Sequence, residues 1–230
     1  MTTPHEGPGG HTVIGVAAGS VNLREADHLI RHLADVLDLP AATVACTHLV
    51  RATARPRTAV SFALPDAEAA TAAWDRLLAR LSPEDTAGPG GAGLDGAGLA
   101  SAGLDGAGAA LGPATHGPAE EARSATAAAA EHARGSGGRA VLYPGADVLT
   151  GTVTLADLLA RTAIDQVVLV GAPPATDGDG PDPHIPVRTR DHVRPRWRDG
   201  RLVLDLTPAP GGTLAPFEVP TPTPCCADHP

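Results

Sequence analysis

The chain has no lysine: all 17 of its basic residues are arginine. That absence excludes a Schiff-base lysine, a P-loop lysine and a lysine general base. Aromatics are nearly as scarce, limited to Phe62, Trp74, Tyr143, Trp197 and Phe217. Large side chains bury the most apolar area each, so the core has to rest on Val, Leu and Ile, and a thin core of modest stability is expected. Cysteine occurs only at Cys46, Cys225 and Cys226, too few for the disulfide framework of a small secreted domain. No run of 18 apolar residues occurs, and no basic segment followed by an apolar one opens the chain. The expectation is a soluble, cytoplasmic protein with no membrane partner.

What is present is acidic. A net charge of −9 argues against a general nucleic-acid partner, because phosphate would be repelled over most of the surface. Residues 1–10 are polar and rich in Gly and Pro, and are expected to form a flexible arm. Thr12 to Ala18 is a short apolar run ended by Gly19, which predicts a buried strand. Asn22 followed by Glu25 forms a capping box, and the stripe Ala26, Leu29, Ile30, Leu33 and Leu37 predicts a helix stopped by Pro40. Strands are expected at 43–52 and 58–64, then a second amphipathic helix carrying Ala70, Trp74, Leu77 and Leu81. Residues 11–86 thus read as a βαββα unit, ferredoxin-like in the order of its elements.

Residues 87–118 break that pattern. The heptapeptide at 92–98 recurs at 102–108, and so much glycine predicts a disordered Gly/Ala-rich linker. Periodicity resumes over 119–220: an alanine-rich helix at 119–134, a strand at 139–143, a helix at 155–162 and a strand at 166–170. The last three elements suggest a βαβ unit with a parallel pair. A hairpin follows, with strands at 201–207 and 213–219 joined by Ala209-Pro-Gly-Gly212. The fold class is therefore α+β, or mixed α/β, in two halves able to share one sheet. Residues 221–230 form a Pro/Cys tail.

Two places concentrate chemistry. The tail ends Cys225-Cys226-Ala227-Asp228-His229-Pro230, and thiolate with imidazole is the donor set that soft and borderline metals prefer. A further ligand could come from Asp228, from a second chain, or from Cys46 and His48, which lie two apart on a predicted strand and so share a face. The competing reading is a pair of inert terminal thiols, with Cys46 a small buried hydrophobe.

The second place is an arginine ladder at 188–198. Arg188, Arg190, His192, Arg194, Arg196 and Arg198 occupy even positions, and an extended backbone would set them on one side. Over 188–201 six arginines against Asp191 and Asp199 leave +4, enough to hold a phosphate or carboxylate through forked contacts. A charged edge strand is the plainer account. Weaker signals are Asp147 beyond a strand end, the acidic loop with Asp177, Asp179, Asp182 and His184, and the helix pair His28 and His32. No Gly-x-Ser-x-Gly or His-Glu-x-x-His frames any of these residues.

The sequence points first to a small binding protein that uses Cys225, Cys226 and His229 for zinc or copper, or for thiol exchange. The rival is an enzyme or sensor of a small anionic ligand held by Arg188, Arg190, Arg194 and Arg196. A structural or interaction protein with no small-molecule site is the third.

Overall fold

In the computed structural model, residues 12–51, 56–82, 104–171 and 181–220 are described. Among the described residues, four α-helices and twelve strands make a mixed α+β protein, as the sequence pattern implies. The chain divides into two compact units. The first is Met1–Pro144 with Trp197–Arg201, and the second is Gly145–Arg196 with Leu202–Pro230.

The first unit runs β1 (Val13–Ala17), α1 (Leu23–Val36), β2 (Val44–Val50), β3 (Arg57–Ala63), α2 (Ala67–Leu81), β4 (Gly108–Leu111), β5 (Ala114–His116), α3 (Ala119–Ala133) and β6 (Arg139–Leu142). Local chemistry starts the helices where the sequence indicates. Asn22 Oδ1 accepts from the Glu25 N–H at 2.9 Å, and the Glu25 carboxylate accepts from the Val21 N–H at 3.0 Å. Asp66 caps α2 by accepting from the Ala69 N–H at 2.8 Å.

The pairings among β1 to β6 are antiparallel, in the order β5-β4-β1-β3-β2-β6. Strand alternation sorts the side chains into two layers. Ile14, Val16, Val60 and Phe62 face one way and pack with Ile30 and Leu33 of α1 and Leu77 of α2. The opposite parity, including Ala17, Ala59 and Val50, packs with Ala125 and Ala128 of α3. Close approach of α3 depends on small residues. A Cβ on Gly15 would fall 2.0 Å from the Ala125 carbonyl oxygen, so any side chain there would push the helix off the sheet.

An ion pair ties α1 to β6. Arg139 Nη1 donates to Asp27 Oδ1 at 2.6 Å and Arg139 Nη2 to Oδ2 at 3.3 Å, a forked contact between two buried side chains.

Two expectations are corrected. The span 87–118 is not linker throughout: from 104 onward it carries β4 and β5, with β4 paired to β1. The Ala-Ala-Leu of β4 buries against the core, and Gly108 lets the backbone of α3 approach, since a Cβ there would lie 2.3 Å from the Ala122 nitrogen. Residues 87–103 lie outside the described residues. The predicted parallel pair between 139–143 and 166–170 does not form either. β6 pairs with β2, whose second edge was open to it.

The second unit holds a 3₁₀ turn (Ala146–Val148), β7 (Thr152–Thr154), α4 (Leu155–Arg161), β8 (Gln166–Leu169), β9 (Pro186–Arg188), most of β11 (Arg201–Ala209) and β12 (Thr213–Pro216). The β10 strand (Arg196–Arg198) begins at its margin. Here β8 finds its parallel partner in β11, with Gln166 opposite Val203 and Leu169 opposite Leu206. The expected hairpin is β11–β12, with Leu206 opposite Pro216. β9 runs parallel to β12 and antiparallel to β7. Among the described residues, no helix is long and apolar enough to cross a membrane.

Candidate metal centre

The face of the first unit's sheet that meets α3 is apolar at one end and polar at the other. Alternation along β2 puts Cys46 and His48 on that face, and along β3 it puts Ser61 there. The last turn of α3 brings Glu131 and His132 over them. Cys46, His48 and His132 each offer a donor atom, and these atoms all lie within 4.8 Å of one another. All three residues are buried. They sit close enough to hold a metal ion.

Hydrogen bonds fix the imidazoles. His48 Nδ1 and Glu131 Oε2 are 2.7 Å apart, and His48 Nε2 lies 2.7 Å from Ser61 Oγ. The same hydroxyl is 2.7 Å from His132 Nδ1, so Ser61 bridges the two rings. His132 Nε2 is buried and has no hydrogen-bond partner, and the same holds for Trp197 Nε1. A buried polar nitrogen without a partner costs about 1–3 kcal/mol, which makes both atoms informative.

Trp197 belongs to the segment that returns to the first unit, where its backbone N–H donates to the Gly138 carbonyl at 3.0 Å. Its ring centroid lies 5.8 Å from that of His132, tilted by 45°. Its indole N–H faces the Cys46 thiol closely enough to favour the thiolate, although not with the geometry of a full hydrogen bond.

Gly138 closes the floor. Its φ is +106°, and a Cβ there would fall 2.6 Å from His48 Cε1 and 3.1 Å from both His48 Nε2 and Cys46 Cβ. Only glycine suits that backbone and leaves that space empty. The same point is therefore approached by the Cys46 side chain and by the Nε2 edge of His48.

The electrostatics follow from burial. His132 sits in the last turn of a helix, where the dipole favours a cation, yet desolvation outweighs this and lowers its pKa to about 3, with repulsion from His48 adding to it. A neutral imidazole is the form that ligates metal. Burial pushes the Cys46 thiol far up, against smaller lowering influences from Trp197 and Arg139. Without a cation the sulfur stays protonated. The hydrogen bond from His48 holds the half-exposed Glu131 carboxyl below its usual range, opposed by partial burial.

Glu131, His48 and Ser61 also make an acid–imidazole–hydroxyl chain of the kind that activates a nucleophile. Ser61 is fully buried and its hydroxyl is engaged by both imidazoles, so no substrate atom reaches it.

Of the residues singled out from sequence, Cys46 and His48 fall in this cluster. Cys225, Cys226 and His229 lie outside the described residues, as do Asp177 and Asp179. The arginine ladder is not one strand. Val187, Thr189, Val193, Pro195 and Trp197 are buried at odd positions, but Arg190 and Asp191 take left-handed φ values of 54° and 51° and turn the chain. Arg188 lies on β9 and Arg190 in the turn. Arg194 and Arg196 line a concavity of about 110 Å³ together with Asp205, Phe217 and Glu218. Glu218 already engages Arg196 at 3.5 Å and His192 at 3.2 Å, so the arginines' charge is partly matched there.

Sequence reasoning missed His132, Glu131, Ser61, Gly138 and Trp197. A signal existed for one of them: His132 is the lone imidazole in an alanine-rich helix whose other inward positions are Ala or Ser. No family model, curated protein or solved structure matches the chain.

Proposed function

We propose that the protein is a small metal-binding protein that takes one soft or borderline ion, zinc or copper, between Cys46, His48 and His132. The observation that carries this reading is the convergence of one sulfur and two imidazoles within 4.8 Å in a buried site where His132 Nε2 has no other partner. Sulfur with imidazole nitrogen selects zinc and copper over magnesium or calcium. Glu131 on His48 Nδ1 supplies the outer carboxylate that orients metal-bound histidines, and this leaves Nε2 as the ligating atom once the Ser61 hydroxyl turns aside. Ion binding would be coupled to loss of the Cys46 proton, so uptake should weaken as pH falls.

Cys225, Cys226 and His229 offer a second donor set, for a metal or for thiol exchange, and one assay separates the two. Elemental analysis of the Cys225→Ser/Cys226→Ser protein, purified reduced and without a tag, should give about one ion per chain. Adding Cys46→Ala should remove it. If metal instead disappears with the tail cysteines, the tail holds it and the buried cluster does not. An anionic ligand at Arg188, Arg190, Arg194 and Arg196 is the less supported reading, because Glu218 and Asp205 share the concavity with two of those arginines.

A further inference from the structure

The donors of the buried cluster are few for a dication. Zinc in a closed site takes four ligands from Cys, His, Asp or Glu, and in an open site three plus water. Among the described residues, no fourth Cys, His, Asp or Glu joins Cys46, His48 and His132. The surrounding positions are occupied by groups that zinc does not favour. Ser61 Oγ sits between the imidazoles, Gly138 forms the floor, and the Trp197 indole lies beside His132 with its N–H toward Cys46. Cys46, His48, Ser61 and His132 are each at most 2% exposed, so the donors are shielded from bulk water.

Charge points the same way. A monovalent ion and one thiolate form a neutral pair, whereas a dication leaves a buried positive charge, which is costly in a desolvated site. Glu131 is the nearest carboxylate, but its side chain is 38% exposed and bonded to His48, so solvent screens much of its charge.

We infer that the Cys46/His48/His132 cluster is a site for monovalent copper in low coordination, closed by Trp197, and not a zinc site. This rests on the metal-binding reading above and narrows it to one ion. The step balances simply. The Cys46 S–H bond breaks, a sulfur–copper bond forms, the metal stays Cu(I), and the proton leaves to solvent. The chain Ser61–His48–Glu131 leads from the buried sulfur's neighbourhood to a half-exposed carboxylate.

The test uses the full chain carrying Cys225→Ser/Cys226→Ser, reduced and free of oxygen. Cu(I) is presented in competition with a chromophoric Cu(I) chelator, and Zn(II) in a parallel series with a chromophoric zinc chelator. The expected result is about one Cu(I) per chain, at least about tenfold tighter than zinc, with quenching of tryptophan fluorescence that vanishes in Trp197→Phe. That last readout needs no ligand variant and so survives a Cys46→Ala protein that fails to fold. Zinc bound as tightly as Cu(I) would overturn the inference and leave the metal-binding reading standing. Cu(I) bound without quenching through Trp197 would also overturn it, because the ion would then lie elsewhere. If neither ion binds, both the inference and the reading beneath it fall.

Discussion

Acid should destabilise the metal-free protein through His132, beginning near neutral pH. Burial lowers the native pKa of this imidazole to about 3, whereas in an unfolded chain a histidine titrates near about 6.5. Between those values the unfolded state holds the extra proton, so stability falls as pH falls, by up to about 1.4 kcal/mol per pH unit. The contribution is complete above about pH 6.5 and is lost progressively on the way down to about pH 3. Integrating from pH 7 to pH 5 gives a loss of about 2 kcal/mol from this one residue. Glu131, whose pKa is lowered from 4.5, acts in the same direction, but only below the ordinary carboxylate range. The interval from pH 5 to 7 lies above that range, and comparison with a His132 variant separates this imidazole from the chain's nine other histidines. Urea unfolding of chelator-treated protein at pH 7, 6 and 5 measures the loss directly, with His132→Gln as the reference. The wild type should lose about 2 kcal/mol more than the variant over that interval. If the gap between the two proteins does not change with pH, His132 is not held neutral by burial and the reasoning fails.

Three further outcomes follow from the same geometry. Asp27→Ala removes the carboxylate paired with a guanidinium that is 7% exposed and should cost about 3–5 kcal/mol in urea unfolding, whereas Asp27→Leu/Arg139→Met should be nearly neutral; a single-variant loss below about 1 kcal/mol would mean the pair is not desolvated. Gly138→Ala drives a methyl group toward His48 Cε1 at a φ of +106°, so calorimetry should show a lower melting temperature and dialysis should show no metal uptake. Glu131→Gln should weaken metal affinity about 10–100-fold; unchanged affinity would remove Glu131 from the site.

Much of the first unit was legible because its signals are local. The Asn22–Glu25 cap, the α1 stripe and the 2-periodicity of β2 and β3 each concern neighbours in sequence. Which edge a strand joins is not local. β6 and β8 read as partners because a helix separates them, but pairing depends on which edges are open, and β6 closed onto β2 while β8 closed onto β11. The span around β4 read as linker because glycine dominates the segment before it, hiding the Gly-Ala-Ala-Leu run that β1 pairs. At the site, Cys46 and His48 were visible as two donors on one strand face. His132 was not, since it lies 84 positions beyond His48 and reaches it only because Gly15 and Gly108 let α3 settle onto the sheet. The ladder at 188–198 predicted the alternation of burial but not the turn, since the left-handed Arg190–Asp191 pair has no glycine to announce it.

The proposal that three side chains hold a single ion can be tested without any variant of those side chains. X-ray absorption at the copper edge of the Cu(I)-loaded Cys225→Ser/Cys226→Ser protein reports the atoms bound to the metal. One sulfur and two imidazole nitrogens, with no oxygen shell, is the result expected of Cys46, His48 and His132. A shell of light atoms without sulfur, or no copper retained at all, would contradict it.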